Sequence, residues 1–194
     1  MAKIHAIRTG LVQVRQAQAS GKGHGIARVT NMLTDKDWTE WLPIYAWAIE
    51  YGDRVVLVDT GETSRVHEPG YHPSWHPFYR LATQFKVAPE DELGPQLRAM
   101  GIKIGDVSDV ILTHLHTDHA GGLRHAVGAK TWVHPAELQR GQGLMGRLNG
   151  YLPHRWPKWW QPEAIQFKDG QVGPFAQSMD VTADGEVLVI PTPG

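Results

Sequence analysis

Residues 107–122 read VSDVILTHLHTDHAGG, an apolar run that ends in three histidines and one aspartate within six positions. The run 107–112 is a short strand with polar boundaries, and loops at strand ends are where layered α/β proteins hold ligands. In an extended backbone, side chains two apart point the same way, so His114 and His116 can converge on one ion. Asp118 and His119 follow the bend, where Gly121 and Gly122 permit a tight turn and close backbone approach, and they can face a second ion. With eleven histidines and eleven aspartates among 194 residues, a chance H-x-H-x-D-H is on the order of two in a thousand. The bland alternative is a polar turn whose histidines cap a helix, which would use four ligand-type side chains where one would serve.

Working outward, the composition is that of an ordered globular chain: 41% hydrophobic and 20% charged, long enough for one domain with a sizeable core. A formal charge of −1 with no basic block disfavours a phosphate-backbone partner, so nucleic acid is not expected. The absence of cysteine removes disulfides, thiolate ligands and cysteine nucleophiles together, leaving histidine and carboxylate as the strong metal ligands. No stretch approaches the ~20 apolar residues of a membrane span, and the N-terminus has no apolar core of signal-peptide length. The expectation is a cytoplasmic protein.

Along the chain, 4–15 alternates apolar and polar and reads as a half-buried strand or hairpin arm. Strands are expected at 43–51 and 54–59, joined by Gly52-Asp53, the strongest short hairpin signal present. Residues 62–90, with Tyr71, Trp75, Phe78 and Tyr79 among several prolines, read as a long surface loop or lid. Acidic residues in the first turn, Leu93, Leu97 and Met100 at helical spacing and a glycine just past the end place a helix over 90–100. KTWVH (130–134) reads as the next strand and PAELQRG (135–141) as a short helix opened by proline. A second Trp-, Pro- and Gly-rich segment covers 141–162, and the tail returns to strands in AIQFKDG, MDVTADG and EVLVIPTPG.

THLHTDHAGG after VSDVIL, with VVLVDTG upstream at 55–61, resembles the metallo-β-lactamase superfamily. That resemblance implies an α/β fold, the four-layered αββα sandwich, here as a single domain over 1–194. Within the superfamily the order of elements is most similar to the quorum-quenching acyl-homoserine lactonases. It implies a dinuclear zinc centre, with His114 and His116 on the first ion and Asp118 and His119 on the second. Asp59 of VDTG reads equally as the residue that orients a ligand histidine or the motif loop, and as a turn aspartate capping its strand. The other histidines lack the motif's spacing: His125 and His134 read as structural, and His72 and His76 as pocket lining or packing against Trp75. Trp156, Trp159 and Trp160 read as a substrate-facing wall, a dimer surface or loop packing.

In the superfamily, TPG at the end of such a strand is followed by a third ligand histidine, whereas this sequence stops at Gly194. The expectation is therefore an N-terminal portion of the sandwich, with an apolar sheet face uncovered and weak metal binding of its own. For the complete protein the resemblance implies a zinc hydrolase that opens a lactone or related ester, an N-acyl-homoserine lactone being the leading substrate. Zinc supplies a water of pKa about 7, and Asp118 would orient it and later return a proton to the leaving alkoxide. The expected partner is a small-molecule substrate, not nucleic acid or membrane, with a homodimer as the candidate assembly. A thioester hydrolase of the hydroxyacylglutathione type shares the motif but starts at the VDTG hairpin, and a ribonuclease Z-like nuclease is disfavoured by charge. A flavodiiron-like oxidoreductase would carry glutamate in place of His116. An inactive, metal-poor fragment is the remaining, non-enzymatic alternative.

Overall fold

The computed structural model describes residues 2–192. β1 (Lys3–Val14) leads through α1 (Gln16–Ala19) and α2 (Gly25–Thr34) to the hairpin of β2 (Leu42–Tyr51) and β3 (Arg54–Val58). The expected 62–90 loop contains α3 (Pro77–Leu81) and β4 (Thr83–Lys86), and α4 (Leu93–Ala99) and β5 (Val107–Leu112) follow. After the histidine motif come α5 (Thr117–Ala120), β6 (Lys130–Val133), α6 (Pro135–Arg140), α7 (Gly143–Leu148) and β7 (Glu163–Ala164). The last strands are β8 (Met179–Asp180) and β9 (Leu188–Val189).

Seven strands form one mixed sheet in the order β4-β1-β2-β3-β5-β6-β7, antiparallel from β4 to β3 and parallel from β3 to β7. The hairpin forms where expected: Tyr51 pairs with Arg54, and Gly52, at φ 55, takes the positive-φ position of the two-residue turn. Val55–Val58 of β3 and Val110–Leu112 of β5 are continuous apolar runs because both faces of the sheet are covered there. Val55, Leu57, Val110 and Leu112 point into a core with Leu93 and Leu97 of α4, while Val56 and Ile111 point into a second core with Met179 and Val187 beside the β8-β9 pair. Each fully buried leucine contributes roughly 1.5–3 kcal/mol relative to exposure. The layering is thus helices, large sheet and small sheet. On β1 and β2, Ile4, Tyr45 and Trp47 lie exposed.

Three expectations need correction. Of the expected strand AIQFKDG only Ala164 lies in a strand, as the end of β7, and the chain then leaves the sheet. The aromatic insertion is not a loose surface loop. Its β4 pairs with β1 from Leu11↔Lys86 to Val14↔Thr83, and Tyr71 and His76 are each 3% exposed. It packs because the second aromatic segment supplies its backbone partners: Tyr79 Oη donates to the Gly150 carbonyl, and Arg155 Nε donates to the Tyr71 carbonyl at 3.0 Å. In the tail, MDVTADG is mostly a turn. The Asp180 carboxylate accepts from the N–H groups of Thr182 (3.0 Å), Ala183 (3.0 Å) and Gly185 (2.8 Å), so the chain reverses before extended pairing can develop. Trp156 and Trp160 meet edge to face at 5.1 Å against the main core, which makes them packing residues, while Trp159 is exposed. Pro193 and Gly194 of the TPG match lie outside the described residues.

Candidate metal centre

The turn after β3 and the motif after β5 are bonded to each other across about 60 residues of chain. The Thr60 N–H donates to the His119 carbonyl at 2.7 Å, Thr60 Oγ1 donates to the same carbonyl at 2.8 Å, and the Gly122 N–H donates to the Gly61 carbonyl at 3.0 Å. A Cβ on Gly122 would sit 2.1 Å from the Thr60 carbonyl oxygen, so the contact needs glycine.

Asp59 sits at the centre of this seam in the left-handed region, at φ 59, a conformation that costs a non-glycine residue roughly 1 kcal/mol or more. Its N–H donates to the Ile111 carbonyl at 2.8 Å, and its carboxylate accepts from the Thr113 N–H at 2.8 Å and from His119 Nδ1 at 2.7 Å. Those bonds hold the strained backbone, and the last of them fixes the His119 ring. With Nδ1 committed to Asp59, Nε2 faces Asp118, 3.6 Å from Oδ2.

His114, Asp118 and His119 each present a ligand-type atom, and these atoms all lie within 4.8 Å of one another. The His114 and His119 rings are 3.8 Å apart between centroids. Burial, and then the neighbouring charges of His119 and His116, lowers the His114 pKa to about 4, which keeps its ring neutral and able to donate a lone pair. Burial pulls the His119 pKa down, but the bond to Asp59 and the charge of Asp118 outweigh it and the pKa rises. Two imidazoles and a carboxylate, partly sheltered and with one imidazole oriented by a buried carboxylate, are a donor set that fits a divalent cation of the zinc type.

His116 stands apart from that trio. Its ring is 5.0 Å from that of His114, but its Nε2 donates to the Asn149 carbonyl at 3.0 Å and its face stacks on Tyr151 at 4.5 Å. The structure therefore brings together three of the four motif side chains and couples the fourth to the second aromatic segment. His76 lines the cavity described below and also packs 5.2 Å from Trp75, whereas His72 is stacked on Tyr79 at 4.1 Å. His134 caps α6 by accepting from the Ala136 N–H at 3.2 Å.

Three buried carboxylates escaped the sequence reading, Glu62, Glu92 and, on α6, Glu137, which accepts from Tyr151 Oη at 2.9 Å. Glu62, next to VDTG, is fully buried, and burial pushes its pKa up to about 8; its Oε1 accepts from the Thr63 N–H at 2.9 Å. Glu92, at the N-terminus of α4, is 2% exposed and accepts from the Ser64 N–H at 2.9 Å, from Ser64 Oγ and from the side chains of Arg124 and His125. Burial opposes its charge, but these donors win and hold its pKa down at about 2. The nearest signal was DEL before an apolar helix, which reads as a first-turn acid and says nothing of burial.

A cavity of about 700 Å³ opens from His114, His116 and Asp118. Away from the motif its lining is largely apolar, with Val29 and Met32 of α2, Phe78 of α3 and Phe85 of β4, interrupted by Gln18 and Arg28. Among the described residues no helix is long and apolar enough to cross a membrane.

Residues 39–175 match the family model of the Metallo-beta-lactamase superfamily. The chain belongs to that superfamily. Its members' metal dependence accords with the donor set above. The N-acyl homoserine lactonase AiiB of Agrobacterium fabrum is 32% identical over 97 residues, which cover 50% of this chain and 34% of that protein. An N-acyl homoserine lactonase of a Bacillus species is 30% identical over 102 residues, covering 52% of this chain and 40% of that one. The matches thus span between a third and two fifths of these relatives' length. A solved N-acyl homoserine lactone hydrolase, with N-hexanoyl-L-homoserine bound at its catalytic metal center, superposes with a TM-score of 0.69 at 21% identity over 91% of this chain and 64% of that one. At that identity the likeness is one of fold: the mixed sheet and its helices are a metallo-β-lactamase arrangement.

Proposed function

We propose that the whole protein is a zinc-dependent hydrolase that opens lactones, with N-acyl-homoserine lactones as its substrate class. The observation that carries this reading is the cavity. It joins His114 and Asp118 of the donor trio to a wall of Val29, Met32, Phe78 and Phe85, so a substrate with a polar ester head and an apolar tail fits it. The lactonase relatives support the same choice.

In this proposal His114, Asp118 and His119 hold metal, and His116 joins them when it leaves the Asn149 carbonyl, so that these four supply two donors to each of two zinc ions, part of the ligand set each needs. Zinc there supplies Lewis acidity, which lowers the pKa of water and polarises a carbonyl oxygen. Asp59 keeps His119 Nε2 turned toward the centre. Asp118 holds the proton released as the water oxygen bonds to the lactone carbonyl carbon. It then delivers that proton to the alkoxide as the ring C–O bond breaks, so water is consumed and a hydroxy acid leaves. The apolar wall seats the acyl chain and keeps bulk water from it. A charge near neutrality favours a small-molecule substrate over a nucleic acid. A cytoplasmic setting, a single domain and a homodimer belong to the same proposal and are tested by fractionation, limited proteolysis and light scattering.

The test is proton release by the zinc-loaded protein from N-hexanoyl-L-homoserine lactone, run beside a glutathione thioester. Ring opening that EDTA abolishes and zinc restores is the expected result. Efficient thioester cleavage with an inert lactone would replace this reading with the thioester hydrolase.

A further inference from the structure

On the other side of the motif helix α5 lies a second, smaller cavity of about 240 Å³, whose lining includes Thr63, Tyr71, Gly121 and three arginines, Arg65, Arg124 and Arg155. It shares no lining residue with the substrate cavity, and no carboxylate lines it. The three arginines come from separate parts of the chain: the turn after β3, the turn after the histidine motif and the second aromatic segment. Converging three guanidinium groups on one cavity is unfavourable unless something neutralises them.

Their present partners do so incompletely. Arg65 Nε donates to both Glu68 carboxylate oxygens at 3.2 Å, and Arg124 pairs with the buried Glu92. Among the described residues Arg155 bonds backbone carbonyls alone: Nε donates to Tyr71 at 3.0 Å, and Nη2 to Tyr71 at 2.8 Å and to Gly70. Its guanidinium lies 4.7 Å over the Tyr71 ring, and among the described residues it makes no ion pair with a carboxylate. With Glu62 beside the cavity held uncharged at neutral pH by its burial, two ionised carboxylates against three guanidiniums leave one positive charge there. The buried Tyr71 phenol senses all three: burial and then Glu62 raise its pKa, while Arg155, Arg65 and Arg124 each oppose the rise.

We propose that this arginine-lined cavity is a binding site for a phosphate group, free or carried by a small metabolite. Donors arriving from three directions suit a tetrahedral oxyanion better than a planar carboxylate, and guanidinium forks bind phosphate oxygens through paired N–H bonds. Thr63 and Gly121 place the site against both strands of the seam that orients His119, so an occupant would contact the scaffold of the metal centre without entering it. The proposal does not depend on the lactonase reading.

Inorganic phosphate is titrated into the metal-loaded protein at ionic strength held constant with sodium chloride, following heat and tryptophan fluorescence, for the parent and for Arg65→Ala, Arg155→Gln and His114→Ala. The dissociation constant is expected to rise about 3-fold in Arg65→Ala and about tenfold in Arg155→Gln. It should be unchanged in His114→Ala, which reports phosphate bound at the metal centre instead. Arg65 is exposed, so its variant should melt within about 2 °C of the parent and keeps the test valid if Arg155→Gln does not fold. Equal affinity in the parent and both arginine variants, or loss of the signal in His114→Ala alone, overturns the site. Within a positive result, tighter binding of glycerol 3-phosphate than of inorganic phosphate assigns the group to a metabolite, and the reverse assigns it to the free ion.

Discussion

The two flanks of the histidine motif are built on opposite plans. Toward the VDTG turn and α4, polar groups are buried and bonded: Asp59 to His119 and Thr113, Thr60 to His119, and Glu92 to Ser64, Arg124 and His125. Toward α2, the wall is apolar and open: α2 has no buried residue, and Ile26 and Val29 are 86% and 50% exposed. Each plan follows from a different physical requirement. Donor atoms must be held to fractions of an ångström, which takes dry, charge-assisted hydrogen bonds with low freedom. An apolar wall needs only apolar area, which tolerates change.

The contrast breaks most readily at Gly122. Gly122→Ala forces a methyl group onto the Thr60 carbonyl, and a loss of about 3 kcal/mol of stability is expected, read by urea denaturation. A variant as stable as the parent would mean that the seam is soft and the contrast false. Next comes Asp59→Asn, which keeps the size and tolerates the left-handed backbone but loses the charge on His119. Zinc affinity is expected to fall about 10–100-fold by calorimetry, with a smaller change in melting temperature.

Glu92 sharpens the comparison through pH. Its folded pKa, about 2, lies below the ordinary 4.5, so its stabilisation is present above 4.5 and is lost as pH falls toward 2. The parent's melting temperature should therefore drop through that window more steeply than that of Glu92→Gln, which is already the less stable variant at pH 7. Parallel curves would remove Glu92 from the bonded flank. The smallest effect belongs to the open flank: Val29→Ser should leave stability within about 0.5 kcal/mol. It should also raise KM for a decanoyl substrate by about 3-fold more than for a butanoyl one, with kcat little altered. An equal rise for both chain lengths would show that α2 does not seat the tail.

Much of the scaffold was legible in the chain because its signals are local. Gly52-Asp53 between two apolar runs is a hairpin whatever surrounds it, and the run before His114 is long enough for one strand and too short for a helix. β4 was not legible, because Thr83–Lys86 is four residues of mixed polarity and becomes a strand only by pairing with β1. The tail misled in the opposite sense: VTAD has β-branched residues, but Asp180 bonds the following backbone into a turn.

The chain's own residues set which chemistry is available: histidines and carboxylates at strand-end spacing, no thiolate, and glycines where the backbone must pass close. Which of those groups meet was settled by how the segments pack. His114, Asp118 and His119 converge while His116 turns to a carbonyl 33 residues away, and Glu62, Glu92 and the three arginines acquire their roles from segments distant in sequence. The physical reason is that spacing along a chain sets the direction of a side chain, whereas its partner, its burial and hence its charge state depend on which surface is packed against it.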